Sequence, residues 1–117
     1  MRSGRRALLA AALSSPVLFF ALPAQAADPI KIGLSGPFTG GSSSMGVSMR
    51  DGVRLAVMEI NKSGGVLGRQ IELIERDDEA KNERGVQIAQ ELINKEKVVA
   101  TVGYINTGVA LASQRFY

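Results

Sequence analysis

Residues 27–117 are predicted to form an open, doubly wound α/β sheet with parallel strands. Three short β-type segments alternate with amphipathic helical segments, and strands joined by helices pair in parallel through right-handed crossovers. Breaks rich in glycine separate these segments. The third β-type segment, 98–103, is an almost continuous apolar run, which is typical of a strand buried on both faces.

The first strand is predicted over 29–34. Three aliphatic residues alternate along it and share one face: Ile30, Ile32 and Leu34. A Ser-Gly-Pro break ends the strand, and a loop rich in glycine and serine fills 35–46. We expect this loop to lie at the carboxyl end of the strand.

A helical pattern follows this loop. Its apolar residues recur at steps of three and four positions: Met49, Val53, Ala56, Val57 and Ile60. Ser48 is a suitable N-cap, although the helix could also begin one turn earlier. Gly64 and Gly65 end the helix, because glycine tolerates the positive φ of a helix terminus.

The second strand is predicted over 70–76, after a tight turn. An acidic loop, 77–79, follows it. A second helix is expected from Asn82, which can act as its N-cap, to about Lys95. The apolar stripe of this helix comprises Val86, Ala89, Leu92 and Ile93.

Ligands of open α/β sheets bind outside the carboxyl ends of the strands. The loops 35–46 and 104–108 both occupy that position, and the second leads into a third helix. Three parallel strands leave hydrogen-bonding edges unprotected, and Tyr117 falls inside an amphipathic pattern. We therefore expect this sequence to be the N-terminal part of a longer one.

The composition excludes most catalytic classes. The chain has no cysteine and no histidine, which rules out disulfides, thiolate chemistry and Ser-His-Asp catalysis. The acidic loop lies beside Lys81 and Arg84, so it is interpreted as solvated surface or helix N-terminal charge, with no metal and no cofactor. Basic and acidic residues balance after Ala27, at 11 each, so no nucleic-acid surface is predicted.

Residues 1–26 have the pattern of an export signal. The only charges are Arg2, Arg5 and Arg6. An apolar run over 7–22, interrupted by Pro16, is shorter than the roughly 20 residues of a membrane span. The Ala-Gln-Ala sequence at 24–26 suits cleavage before Ala27. We expect export to the periplasm, by the general secretory route ahead of the twin-arginine route.

Three motifs occur in order along the predicted mature chain. They are IGLSGPFTG (32–40), GVRLAV with EIN (52–61), and GGVLGRQIEL (64–73) followed by Asp77-Asp78. Together they resemble the leucine/isoleucine/valine-binding protein family, the periplasmic binding proteins of branched-chain amino acid ABC importers. The resemblance covers 30–117, essentially the whole mature chain.

The resemblance implies a type I periplasmic-binding-protein lobe, present here in part. It implies a non-enzymatic solute-binding component that captures an amino acid or a related small solute in the periplasm. It also implies ABC transporter permease subunits as partners, no nucleic acid, and a monomer when full length. Such proteins hold the ligand between two lobes that close by a hinge motion.

The resemblance also places candidate ligand-binding residues. In the family, main-chain groups and small hydroxyls of the first lobe meet the ligand's α-amino and α-carboxylate groups. Asn106, Thr107 and Gly108 hold that position here, although the same residues also suit a plain helix N-cap. Met45 falls where a side chain contacts the ligand, or it fills a gap in the core. Tyr104 is a further candidate that packing alone would also explain.

Three alternatives remain open at this point. The same binding fold serves exported ligand-sensing receptors. A flavodoxin-like nucleotide-binding domain would use 36–46 as its phosphate loop, although this loop lacks both the Gly-Lys-Ser/Thr ending and the Gly-x-Gly-x-x-Gly spacing. A partial lobe could also bind nothing by itself.

Overall fold

The computed structural model describes residues 26–117. The elements are β1 (Ile30–Gly36), α1 (Ser43–Lys62), β2 (Ile71–Asp77), α2 (Asn82–Asn94), β3 (Ala100–Val102), α3 (Thr107–Ser113) and a 3-10 turn (Gln114–Phe116). The predicted export signal lies outside the described residues, apart from Ala26. Within the described part, none of the helices has the length and apolar character needed to cross a membrane.

The three strands form one parallel sheet in the order β2-β1-β3. β1 is central: Ile30 lies beside Ile71 at one end and Gly36 beside Asp77 at the other, while Ile32 lies beside Ala100. From β1 the chain passes through α1 to β2 on one side, and then through α2 to β3 on the other side of β1. The predicted doubly wound α/β fold is confirmed.

Adjacent residues of β2 contact different helices. Glu75 pairs with Arg54 of α1 at 2.6 Å, whereas Arg76 pairs with Glu91 of α2 at 2.8 Å. Ile74 also packs against α2. Since neighbouring side chains of a strand point to opposite faces, α1 and α2 cover opposite faces of the sheet.

The buried cluster lies on the α2 face. Ile74, Ile88 and Leu92 are its members, and Val98 packs against them. The predicted stripe of α2 omitted Ile88, which is fully buried, while Val86 and Ile93 are only half-buried. The face that meets the sheet is therefore rotated from the predicted one.

α1 begins earlier than predicted. Ser42 occupies the N-cap position and the helix starts at Ser43, so the predicted N-cap, Ser48, lies inside the helix and donates its hydroxyl to the Ser44 carbonyl at 2.9 Å. The physical reason is the close packing of Gly46 on Pro37, where an added Cβ would lie 2.0 Å from the Pro37 carbonyl oxygen. The first turn of α1 thus occupies the end of the predicted loop.

Asn82 is the first residue of α2 and not its cap. Lys81 occupies the N-cap position, and its side chain makes no capping hydrogen bond among the residues that the structure describes. The first turn nevertheless carries an acidic residue, Glu83, which suits the positive end of the helix dipole.

β3 is shorter and more exposed than predicted. It spans only three residues, and Val99 and Val102 are 71% and 41% exposed. β3 pairs only with β1 in the described sheet, and of this run Val98 is the residue that packs against the α2 cluster. The prediction that this run is buried on both faces was therefore wrong for the described part of the chain.

Candidate functional site

The carboxyl ends of the three strands carry loops 37–42, 78–81 and 103–106. The strand order reverses between β1 and β3, because the crossovers from β1 and β2 lead in opposite directions. In doubly wound sheets such a reversal opens a crevice in which ligands bind. The crevice between the loops after β1 and β3 is therefore the candidate site.

Ser42 and Asn106 meet at this crevice. The Asn106 side-chain amide donates to the Ser42 hydroxyl at 3.4 Å and so joins the beginnings of α1 and α3. Its side-chain oxygen is buried and has no hydrogen-bond partner within the described part of the chain. The side chain does not cap its own helix. The oxygen of a side-chain amide can accept a hydrogen bond.

Thr107 and Gly108 begin α3 and are exposed. Gly108 also lies close to α2, since an added Cβ there would be 3.0 Å from the side-chain oxygen of Asn82. The structure therefore places both residues beside Asn106, with Gly108 facing the side chain of Asn82.

Met45 and Tyr104 occupy different surroundings. Met45 lies on the first turn of α1, not in a loop, and is 56% exposed, so it does not fill a gap in the core. The Tyr104 hydroxyl lies 2.7 Å from the Tyr117 hydroxyl, and burial, followed by that hydrogen bond, raises the pKa of Tyr104 above its ordinary value. Tyr104 lines a groove of about 450 Å³ beside β3 with Val98 and Phe116.

Asp77 connects the loops after β1 and β2. One carboxylate oxygen accepts hydrogen bonds from the N–H groups of Phe38 at 2.8 Å and Glu79 at 2.9 Å. The other accepts the Thr39 hydroxyl at 2.5 Å. Partial burial alone would raise the pKa of Asp77, but these donors outweigh it and hold the pKa below its ordinary value.

Asp78 is a buried carboxyl group, 1% exposed. It accepts the Ser35 hydroxyl at 3.2 Å and the Ala80 N–H at 2.9 Å. Burial nevertheless raises the pKa of Asp78, and the neighbouring charge of Asp77 adds to the effect. The prediction of a solvated acidic loop was wrong for Asp78, although Glu79 is exposed.

Replacing Asp77 with asparagine is expected to lower the free energy of unfolding by about 1–2 kcal/mol near neutral pH, through the loss of charge-assisted hydrogen bonds. The pKa of Asp77 is lower in the folded state, so its stabilisation is complete above the unfolded-state value near 4 and disappears as the pH falls through the lower folded-state value. Denaturant unfolding of both proteins from about pH 7 to about pH 2 measures this. A difference that stays constant with pH would contradict it.

A family model described as periplasmic binding protein matches residues 29–117. An amino acid binding protein of Pseudomonas aeruginosa is 31% identical over 113 residues, which are 97% of this chain and 29% of that protein. A leucine-, isoleucine-, valine-, threonine- and alanine-binding protein of the same organism is 35% identical over 105 residues, which are 90% of this chain and 28% of that protein. This chain therefore spans less than a third of the length of these relatives.

Solved structures of binding proteins are also similar to this chain. The branched-chain amino acid transporter substrate binding protein of Streptococcus pneumoniae, in complex with isoleucine, superposes with a TM-score of 0.73 at 32% identity, over 75% of this chain and 25% of that one. An ABC transporter solute binding protein of R. palustris, in complex with benzoate, gives a TM-score of 0.66 at 29% identity, over 74% of this chain and 24% of that one.

Proposed function

Because the chain belongs to the periplasmic binding protein family, we propose that it forms part of the ligand cleft of a solute-binding protein that captures an amino acid in the periplasm. The protein would deliver its ligand to the permease of an ABC importer and would catalyse no reaction. The observation that carries this proposal is the meeting of Ser42 and Asn106 where the strand order reverses.

The proposed ligand carries a carboxylate. The two solved relatives are described with isoleucine and with benzoate, and a carboxylate is the group that these two compounds share. In this chain the Thr107 hydroxyl and the Gly108 N–H would donate to it. The side-chain oxygen of Asn106, which has no partner among residues 26–117, would accept a hydrogen bond from the α-ammonium group of an amino acid.

Two further residues would shape the cleft. Met45 is exposed on the first turn of α1, three residues beyond Ser42, and would contact the ligand's side chain. Tyr104 belongs to the loop after β3 and would form part of the wall. Its hydroxyl is already engaged by Tyr117, so we assign Tyr104 an apolar contact.

Ligand screening tests the proposal directly. The intact protein that carries this sequence would be purified from the periplasmic fraction of its host, and its mass would show whether it begins at Ala27. Calorimetry with the twenty amino acids and benzoate is expected to find binding of at least one branched-chain amino acid. Stabilisation by nucleotides and by none of these carboxylates, in a thermal-shift assay, would favour a nucleotide-binding domain and overturn the proposal.

Replacing Thr107 with alanine in the intact protein is expected to weaken binding of the identified ligand by about 1–3 kcal/mol, because a buried carboxylate oxygen would lose its donor. Isothermal titration calorimetry measures this change. Gln114 follows α3 and is exposed, so Gln114→Ala is the matched control and should leave the affinity unchanged. An equal affinity of the Thr107 variant and the wild-type protein would show that Thr107 is not a ligand-binding residue.

A further inference from the structure

A continuous row of contacts crosses the carboxyl edge of the sheet. It runs from Asp77 at the end of β2, through Phe38 and Thr39 after β1, along the chain to Ser42, and from there to Asn106 before α3. We propose that Asp77 is a positioning residue whose carboxylate fixes the segment 37–42 and thereby the ligand-binding crevice. This inference rests on the proposed function, since it concerns the same crevice.

The attachment at Asp77 follows from strand register. Gly36 and Asp77 lie side by side at the ends of β1 and β2, so the carboxylate meets the chain just as it leaves β1. Both of its oxygens accept hydrogen bonds. Of the three donors found within residues 26–117, the Phe38 N–H and the Thr39 hydroxyl belong to the segment 37–42. The third, the Glu79 N–H, orients the carboxylate from its own loop.

The far end of the segment is held by α1. The Ser43 N–H donates to the Gly40 carbonyl at 3.2 Å, and the Gly46 N–H donates to the Ser42 carbonyl at 3.2 Å. These local bonds make the segment a short, closed bend between Asp77 and Ser42. A displacement at Phe38 is therefore passed on to Ser42, which contacts Asn106.

The charged groups around Asp77 come from two elements. Asp78, Glu79 and Lys81 lie on its own loop, and Arg50 of α1 lies 5.3 Å from the ring centre of Phe38. Glu79 is paired with Lys81. Among the described side chains, none of these other charged groups is hydrogen-bonded to the segment 37–42. Asp77 is therefore the charged residue that fixes this segment.

The row lies at the edge of the sheet, outside the buried cluster. Thr39 is exposed, and the cluster members Ile74, Ile88 and Leu92 belong to β2 and α2. Loss of the Asp77 charge should therefore loosen the segment while the sheet stays folded. A loosened segment on an intact sheet is the result expected of a positioning residue, whereas a merely structural residue would destabilise both.

Amide hydrogen exchange on the full chain tests the attachment without any ligand. Asp77→Asn is expected to speed exchange of the Phe38 N–H about tenfold, while the N–H groups of the β1–β2 ladder keep their protection. In the wild-type protein the Phe38 amide proton should also shift as Asp77 titrates, and this shift should vanish in the variant. Unchanged exchange at Phe38 would overturn the proposal.

The matched control is Glu79→Gln. It removes the same charge from a residue two positions further along the same loop but leaves the Glu79 N–H and its bond to Asp77 in place. Its Phe38 exchange should equal that of the wild-type protein. If Glu79→Gln loosens Phe38 as much as Asp77→Asn does, the effect is one of general charge and the proposal is wrong.

Ligand affinity tests whether fixing the segment 37–42 also fixes the ligand-binding crevice. In the intact protein, Asp77→Asn should weaken binding about tenfold, because affinity falls with the fraction of molecules that hold the competent conformation, while Glu79→Gln should bind as the wild-type protein does. Loosened exchange with unchanged affinity would overturn the positioning role. If the wild-type protein binds no carboxylate solute, the proposed function fails, and the exchange data alone decide whether Asp77 holds the segment.

Discussion

Replacing Leu92 with alanine is expected to lower the free energy of unfolding by about 3 kcal/mol. Leu92 is fully buried in the cluster with Ile74 and Ile88. It also lies against the central strand, since a Cβ added at Gly33 would be 2.8 Å from one of its methyl carbons. Truncation removes these contacts and leaves a cavity. Denaturant unfolding followed by circular dichroism measures the loss.

The control for this variant is the same substitution on the other face. Leu55 of α1 is 51% exposed, so Leu55→Ala should change the free energy of unfolding by no more than about 0.5 kcal/mol. If the two variants lose equal stability, then the core does not lie between α2 and the sheet, and the arrangement described above is wrong.

Replacing Gly46 with alanine is expected to cost about 3 kcal/mol and to displace the first turn of α1. The added Cβ would lie 2.0 Å from the carbonyl oxygen of Pro37 and 2.6 Å from its carbonyl carbon. Both atoms belong to the backbone, so rotation of a side chain cannot relieve the clash. Stability and the amide chemical shifts of residues 37–45 report the two effects together.

For Gly52, in the same helix, the expected change in stability on replacement with alanine has the opposite sign. A Cβ added there meets no atom of the described residues within 4 Å, and alanine is the better helix former by about 0.5–1 kcal/mol. Gly52→Ala should therefore raise the free energy of unfolding. If both glycine variants shift stability in the same direction, close packing at Pro37 does not determine where α1 begins.

The fold was predictable because its elements have local patterns. The alternating residues of β1 and the three- and four-residue steps in both long helices identify strands and helices without tertiary information. The start of α1 could not be found in this way. Ser42, Ser43, Ser44 and Ser48 are all suitable N-caps, and contact between Gly46 and Pro37 decides among them.

The exposure of β3 shows a second limit. An apolar run indicates a strand that can be buried, but burial depends on what packs against it. Val99 and Val102 are exposed because β1 is the only neighbour of β3 among the described strands. Composition gives no information about that arrangement.

The location of the candidate site followed from topology, but its contacts did not. Loops at the carboxyl ends of parallel strands can be found from the order of elements alone. The bond from Asn106 to Ser42 spans 64 positions and that from Phe38 to Asp77 spans 39, and no local pattern relates such residues. The sequence offered one indication that Asp77 and Asp78 form hydrogen bonds. They are acidic residues at the end of one strand, and Ser and Thr residues lie near the end of another.

The central position of β1 has a consequence for the order of events during synthesis. Its Ile30 pairs with Ile71 and its Ile32 with Ala100, so β1, the first of the described strands to be made, cannot pair until these two neighbours have been synthesised. Pairings between distant residues close slowly, because loop entropy is lost before contacts are gained. The nascent chain therefore carries an unpaired β1 until β2 has been translated, and the three described strands cannot all pair before the ribosome has passed Val102.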